Sequence, residues 1–248
     1  MDIRNPTLFR DPPSVVLLDL DDTLYEYAPA HEAGLAAAAA LAKEALNVST
    51  RDFHSNLDDA KVEIKMRLGK VASAHNRLIY FQRTIERMGF STQPVLSLQM
   101  EQAYWSAFLV AATLFDEAIE FLDDLRIAGI PTIIVTDLST HIQFRKIIYF
   151  GLDRYVHWVV TSEEVGLDKP FAANFELALA KLGGVEGPVW MVGESAAKDI
   201  GGARAAISAV GIQKRHAGVK IEGEGPDAPD ALFDHFREVR RLLRDSVA

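Results

Sequence analysis

Short apolar runs alternate along this chain with longer segments in which apolar residues recur at helical spacing. The runs cover residues 15–18, 131–136, 156–160, 188–192, 209–212 and 231–233. Apart from the stretch after the first run, the helical segments cover residues 116–128, 139–150, 172–182, 199–206 and 235–244. Strands that alternate with helices in this way predict an α/β fold, a doubly wound parallel sheet with right-handed crossover connections.

One long segment near the amino terminus has no strand signal. Its helical spacing and alanine content predict helices over 31–46, from Ser49 onward, over 73–88 and over 95–113. Because this segment follows the first strand and interrupts the alternation, we expect an inserted helical cap. The predicted domains are a core of residues 1–24 and 114–248 and a cap of residues 25–113.

Composition excludes several classes of function. The chain has 26 basic and 35 acidic residues, a net charge of −9, which disfavours nucleic acid as a partner. It has no cysteine, which excludes disulfides, thiolate nucleophiles and cysteine-ligated metals. No apolar stretch is long enough to cross a bilayer, and the first residues lack the apolar core of a signal peptide. We expect a cytoplasmic protein without a membrane partner; monomer and homodimer both stay open.

Two aspartates follow the first strand directly. Asp19 ends the run Val15–Leu18, and Asp21 points to the same side as Asp19 if the backbone is extended. Ligands of open α/β sheets bind beyond the carboxyl ends of the strands. Two adjacent carboxylates repel each other unless a cation or a shared proton stabilises them. The pair therefore predicts a metal and catalytic chemistry, and the alternative is an acidic turn after a strand.

Other strands also end in polar residues. These are Thr136 with Asp137, Lys169, Glu194 and Asp199. Each alone has an ordinary explanation, such as a turn, a solvated loop lysine or a helix N-cap. Together, at one edge of a parallel sheet, they supply a hydroxyl donor, a cation and metal-binding acids, which suits phosphoryl transfer.

At this point the chain resembles the haloacid dehalogenase superfamily, in its large branch of phosphatases with a Rossmann-like core. The motifs occur in the family's order: Asp19-Leu20-Asp21-Asp22-Thr23 for Asp-x-Asp-x-Thr, then Thr136, then Lys169-Pro170, then Gly193-Glu194 with Asp199. The helical insertion after the first motif resembles one type of cap in this family. The resemblance covers nearly the whole chain.

The resemblance implies a Mg²⁺-dependent phosphomonoester hydrolase that acts on a small phosphorylated metabolite through an aspartyl-phosphate. Asp19 would be the nucleophile and Asp21 the general acid and base. Mg²⁺ would be held by the Asp19 carboxylate, the Asp21 backbone carbonyl, Glu194 and Asp199. The remaining implied roles concern phosphate: Thr136 and Asp137 would bind it and Lys169 would neutralise charge.

Two positions depart from the family pattern. Glu194 stands where aspartate is commoner, so the metal or its loop must shift slightly. Asp137 stands where many relatives carry asparagine. In the cap, Arg77 and Tyr80 are spaced i, i+3 and are candidates for substrate binding, against the alternative of a solvated helix.

Three other functions stay open at this stage. A phosphomutase needs a cap that excludes water, which the sequence does not reveal. A dehalogenase of the superfamily needs only the nucleophile, so the presence of Asp21 argues against it. A non-catalytic binding or regulatory protein would not need the full set of acids.

Overall fold

The computed structural model describes residues 1–217, 219 and 225–247. The chain divides into two compact units. One comprises Met1–Tyr25 with Leu114–Ala248, and the other comprises Glu26–Thr113. None of the described helices is long and apolar enough to cross a membrane.

The first unit is built on a mostly parallel sheet. Within the described residues its seven strands are β1 (Asp2–Ile3), β2 (Val15–Leu18), β3 (Thr132–Thr136), β4 (Trp158–Thr161), β5 (Val189–Gly193), β6 (Val210–Lys214) and β7 (Ala231–Phe233). They lie in the order β1-β7-β6-β5-β2-β3-β4, and only β1 runs antiparallel to its neighbour, β7. The predicted doubly wound sheet is confirmed.

Strand β2 lies between β5 and β3, in the middle of the sheet. Its four residues, Val15–Leu18, are fully buried, as expected for a strand covered by helices on both faces. The register pairs Leu18 with Ile134 of β3 and with Val192 of β5. The carboxyl ends of these three strands therefore lie side by side.

Helices of the first unit connect the strands and follow the last of them. They are α5 (Ala118–Ile127), α6 (Thr140–Tyr149), α7 (Ser162–Val165), α8 (Ala173–Lys181), α9 (Gly202–Ile207) and α10 (Phe236–Val247), numbered after four helices of the second unit. The apolar faces of these helices cover the sheet. Phe175 of α8, for example, joins Val15 and Val135 in one fully buried apolar cluster.

The second unit is helical. Its helices are α1 (Tyr27–Leu46), α2 (Thr50–Leu68), α3 (Arg77–Arg87) and α4 (Pro94–Ala111). Helix α1 lets α4 approach closely at Gly34. A β-carbon on Gly34 would lie only 2.7 Å from the Tyr104 ring of α4. The core of this unit is aromatic, with Phe53, Phe81 and Phe108 fully buried.

Several predicted boundaries were wrong. The predicted helix 73–88 is broken at Asn76, whose side chain accepts a hydrogen bond from the backbone N–H of Ile79 at 3.2 Å and starts α3. The predicted strand 156–160 begins two residues later, at Trp158, and strand β1 was not predicted.

The helix predicted over 199–206 also begins earlier. A π-helical turn, Ala196–Gly201, precedes α9, and its N-cap is Ser195, whose side chain accepts a hydrogen bond from Lys198 N–H at 3.3 Å. Asp199 therefore lies inside this turn, so the alternative that it caps a helix is wrong.

Candidate active site

The side chain of Asp19 is fixed at the end of β2. Its backbone N–H continues the ladder to Val192 O at 3.0 Å. One carboxylate oxygen, Oδ2, accepts a hydrogen bond from Thr23 Oγ at 2.9 Å. Only 7% of the Asp19 side chain is exposed. The loop after β2 thus folds back so that Thr23 orients a buried carboxylate.

Lys169 joins two of the predicted acids. Its Nζ lies 2.6 Å from Asp19 Oδ1 and 2.6 Å from Asp199 Oδ1, and it also donates to Val135 O at 3.0 Å. Burial opposes a charged lysine, but Asp19 and Asp199 outweigh it and raise the pKa of Lys169 above its ordinary value. This lysine is a buried cation between two carboxylates.

Three carboxylates form an acidic cluster. One oxygen from each of Asp19, Glu194 and Asp199 lies within 4.8 Å of the others. Carboxylate oxygens bound to a single octahedral Mg²⁺ lie about 2.9–4.1 Å apart, so a small contraction suffices. Among the described residues, no donor lies within hydrogen-bonding distance of the Glu194 carboxylate. A hard divalent cation fits this donor set.

The cluster carries more negative charge than Lys169 neutralises. Burial and the neighbouring carboxylates of Asp199 and Asp19 raise the pKa of Glu194 to about 8. Burial, with Asp199 adding to it and Lys169 opposing it, raises the pKa of Asp19 to about 7. Both shifts have the cause expected of acids packed together, since burial and neighbouring negative charges oppose ionisation.

Asp21 is held by a separate set of side chains. Lys146 Nζ lies 2.7 Å from its Oδ1 and 2.8 Å from its Oδ2, and the Tyr25 hydroxyl donates to Oδ1. Burial opposes ionisation of Asp21, but the charge and hydrogen bonds of Lys146 outweigh it and lower its pKa. The Asp21 side chain is 28% exposed, against 7% for Asp19, so it is the more open of the two.

Thr136 lies at the end of β3 and is linked to Asp21 through Gln143. The Gln143 amide donates to Thr136 Oγ at 2.7 Å, to Asp137 O at 2.6 Å and weakly to Asp21 Oδ2 at 3.4 Å. Gln143 is fully buried on α6. The ends of β2 and β3 are therefore connected by one buried amide.

Asp137 is engaged by two partners. Its Oδ1 accepts a hydrogen bond from the backbone N–H of Lys169 at 2.8 Å, and its Oδ2 accepts one from Lys198 Nζ at 2.8 Å. Asp137 thereby connects the end of β3 to the loop that carries Lys169 and to the turn that carries Asp199. These two contacts suit a residue that positions Lys169 and Lys198. A direct role of Asp137 in substrate binding stays a prediction.

Arg77 and Tyr80 lie in the helical unit and bond to other residues of that unit. The Arg77 guanidinium donates to His75 O at 2.6 Å and to the Tyr27 hydroxyl, and it lies over the Tyr104 ring at 5.3 Å. Tyr80 is buried and its hydroxyl donates to Ala74 O. Their predicted role in substrate binding stays a prediction.

Sequence reasoning missed Gln143, Lys146 and Lys198 as neighbours of the site. A signal was present for two of them. On α6 the buried face contains Gln143 and Lys146, while Phe144, Ile148 and Tyr149 are 47%, 68% and 48% exposed. Long polar side chains that share the spacing of buried Ile142 and Ile147 indicate a helix face turned toward a polar site.

Comparisons with known proteins point to one enzyme family. A family model described as haloacid dehalogenase-like hydrolase matches residues 13–206. Ribulose-1,5-bisphosphate 5-phosphatase of Halopiger xanaduensis is 39% identical over 95% of this chain and 99% of its own. Glyceraldehyde 3-phosphate phosphatase of Methanopyrus kandleri is 30% identical over 93% and 97%.

Solved structures share the fold. A 2-haloacid dehalogenase from Pseudomonas syringae aligns with a TM-score of 0.73 at 20% identity over 94% of this chain and 98% of its own. A HAD phosphatase from Thermococcus onnurineus aligns with a TM-score of 0.66 at 20% identity over 94% and 99%. On the family match and the full-length phosphatase relatives, the chain belongs to the haloacid dehalogenase-like hydrolases, in their phosphatase branch.

Proposed function

We propose that this protein is a Mg²⁺-dependent phosphomonoester hydrolase that forms an aspartyl-phosphate on Asp19. The observation that carries the proposal is the pairing of Lys169 Nζ with Asp19 and Asp199 at 2.6 Å each, beside Glu194. The set combines a buried carboxylate, a fixed cation and further acids for a metal. These are the requirements for attack by one anion on another.

The reaction has two steps. An oxygen of the Asp19 carboxylate attacks phosphorus, and the bond from phosphorus to the leaving oxygen breaks. The bound phosphate is an anion, so it opposes the effect of Lys146 on the pKa of Asp21, and Asp21 takes up a proton from solvent as the substrate binds. Asp21 gives this proton to the leaving oxygen, then accepts a proton from the water that attacks the aspartyl-phosphate. The second attack releases inorganic phosphate and restores Asp19. The greater exposure of Asp21 suits a group that must reach the substrate.

Mg²⁺ would be held by the carboxylates of Asp19, Glu194 and Asp199, with the Asp21 backbone carbonyl as a further ligand. When bound, the ion supplies positive charge that offsets repulsion between the phosphate and the nucleophile. Glu194 is longer than the commoner aspartate, and its carboxylate still lies within 4.8 Å of the other two acids.

The phosphoryl group would contact Thr136 and Lys169. Thr136 has its hydroxyl oriented by Gln143, and Lys169 brings a positive charge to the nucleophile. Asp137 would act on the phosphate through Lys169, whose backbone N–H it accepts. We further propose that the helical unit is a cap that selects the substrate.

For the substrate we propose a small phosphorylated sugar. The support is the pair of full-length relatives, a ribulose-1,5-bisphosphate 5-phosphatase and a glyceraldehyde 3-phosphate phosphatase, at 39% and 30% identity. Net charge of −9 fits a small anion bound at a local metal site better than a polyanion bound over a surface.

The experiment is a screen of phosphorylated metabolites that includes both of those sugar phosphates, with release of inorganic phosphate as the readout. Wild-type protein with Mg²⁺ should hydrolyse at least one sugar phosphate, and excess chelator should stop the reaction until Mg²⁺ is restored. Asp19→Asn is the blank and should lose more than about 10³-fold in kcat. Normal turnover by Asp19→Asn, or turnover unaffected by chelator, would contradict the proposal.

A further inference from the structure

Lys146 is a fully buried lysine that none of the family motifs includes. It lies on α6, and its Nζ is 2.7 Å and 2.8 Å from the two oxygens of Asp21. Its side chain has 0% exposure, while that of Asp21 has 28%. Its Nζ also lies 5.9 Å from the centre of the Tyr25 ring. A buried lysine of this kind is costly unless its partner is fixed.

The approach of Lys146 to both oxygens fixes the plane of the Asp21 carboxylate. A single hydrogen bond leaves a carboxylate free to rotate about its last torsion, whereas two charge-assisted bonds to one cation restrict that rotation. Tyr25 adds a third donor, on Oδ1. Gln143, one turn before Lys146 on α6, ties the same carboxylate to Thr136.

We infer that Lys146 is a positioning residue for Asp21: it holds the carboxylate at the orientation from which it serves the leaving oxygen. The inference rests on the proposed function, since it gives Asp21 the acid and base role. The Lys146 side chain has no exposed surface, so we expect it to act on the substrate only through Asp21. It acts from α6, a helix whose residues the motif pattern does not include, through a carboxylate that the motif pattern does include.

The consequence is a specific dependence on the leaving group. A sugar alkoxide must be protonated as it leaves, whereas 4-nitrophenolate leaves without a proton. An error in the position of Asp21 therefore slows hydrolysis of a sugar phosphate and spares that of 4-nitrophenyl phosphate. The ratio kcat/KM reports every step up to departure of the leaving group, so it isolates this effect from hydrolysis of the aspartyl-phosphate.

The test compares Lys146→Met and Lys146→Gln with Asp21→Asn as the benchmark. Each protein is compared at its own pH optimum, because loss of Lys146 also changes the pKa of Asp21. For the sugar phosphate we expect kcat/KM of the Lys146 variants to fall by about 10²-fold, and for 4-nitrophenyl phosphate by less than about fivefold. Lys181→Met is the matched control, because it removes a lysine that pairs with Glu164 at 2.8 Å elsewhere in the same unit. It should leave both ratios unchanged. Circular dichroism melts establish that each variant is folded.

Chemical rescue uses the absence of cysteine from the chain. Lys146→Cys can be alkylated with 2-bromoethylamine in denaturant, at a unique thiol, and refolded to give a lysine analogue. Alkylation should restore most of the lost kcat/KM for the sugar phosphate. The same treatment of wild-type protein corrects for losses in refolding.

Equal loss on both substrates, or no loss on either, would overturn the inference and leave the proposed function intact. Failure of the proposed function is recognised separately, by a wild-type protein without Mg²⁺-dependent hydrolysis or by an active Asp19→Asn variant. A crystal structure of wild-type protein with Mg²⁺ and beryllofluoride shows the position of the Asp21 carboxylate directly, without kinetics and without a variant. Asp21 should stay within about 3.2 Å of Lys146 Nζ, and an Asp21 turned away from Lys146 would refute the inference.

Discussion

A β-carbon placed on Gly193 would lie 2.5 Å from Cγ of Asp199, far inside van der Waals contact. Gly193 ends strand β5, and Asp199 lies in the π-helical turn that follows. The backbone N–H of Ser195 donates to Asp199 Oδ2 at 2.9 Å and holds the acid over the glycine. The glycine of the fourth motif is therefore required for space, so that a metal-binding acid can pack directly on the strand.

Gly193→Ala should displace Asp199 and cost about 1–3 kcal/mol of unfolding free energy, with a loss of Mg²⁺ affinity. Urea unfolding and isothermal titration calorimetry measure the two effects. Gly129→Ala provides the contrast, because Gly129 has φ +70° and nothing within 4 Å of its added β-carbon. It should lose about 1 kcal/mol through backbone strain and keep Mg²⁺ affinity. Unchanged Mg²⁺ affinity in Gly193→Ala would contradict this explanation.

Two variants of Asp137 distinguish the effect of its negative charge from the effect of its hydrogen-bond acceptor. Asp137→Asn keeps an acceptor for the Lys169 N–H and removes the ion pair with Lys198, so kcat should change by less than about fivefold. Asp137→Leu removes both and should lower kcat by at least about tenfold, because the loop that carries Lys169 is no longer held. Steady-state kinetics on one substrate decides, and equal losses in the two variants would show that the charge itself is needed.

The sheet was predictable because each buried strand is a short apolar run followed by polar residues. All six predicted strands, β2 to β7, lie within two residues of the predicted ranges. Predicted helix boundaries were wrong where a side-chain hydrogen bond determines the start of the helix, as at Asn76 and Ser195. Strand β1 was not predicted because two exposed residues, Asp2–Ile3, carry no periodicity; pairing with β7 defines them.

The predicted core acids and lysine lie together, because the ends of parallel strands share one edge. Residues that bond to them from helices were not predictable by the same logic. Gln143 and Lys146 reach the ends of β2 and β3 from α6, and helical spacing alone does not say what a buried face contacts. From the sequence, Asp137 was a candidate for a helix cap or for substrate binding. Only the fold shows that its carboxylate bonds to Lys169 and Lys198.

Glu194→Gln should raise the Kd for Mg²⁺ by at least about tenfold, since it removes one charge from the three-acid cluster while keeping the side-chain length. Isothermal titration calorimetry measures Kd directly. Glu186→Gln, an exposed change in the same unit, should leave Kd unchanged. A Glu194→Gln variant with wild-type affinity would mean that the ion binds elsewhere.

His31 should make stability depend on pH. Burial, with repulsion from Arg77 and Lys61, lowers its pKa to about 3, below the unfolded value of about 6.5. The unfolded state then binds more protons, so the stability that neutral His31 contributes is present above pH 6.5 and is lost as the pH falls toward 3. Partial exposure screens the effect, which should stay below about 1.4 kcal/mol per pH unit.

Urea unfolding at pH 7 and pH 5 measures this dependence. The loss of unfolding free energy between the two values should be smaller in His31→Gln than in wild-type protein. His235→Gln, which changes an exposed histidine, should behave as wild type. Equal losses in wild type and His31→Gln would exclude His31 as the group responsible.

Trapping of the covalent intermediate tests the attack by Asp19 on phosphorus most directly. Wild-type protein turning over a sugar phosphate with Mg²⁺ is quenched in acid and treated with borohydride, which reduces an acyl phosphate to an alcohol. Peptide mass spectrometry should then find reduction at residue 19 alone, with none in Asp19→Asn or in protein quenched without substrate. Reduction at another carboxylate, or an active enzyme that never yields a reduced residue 19, would contradict the account.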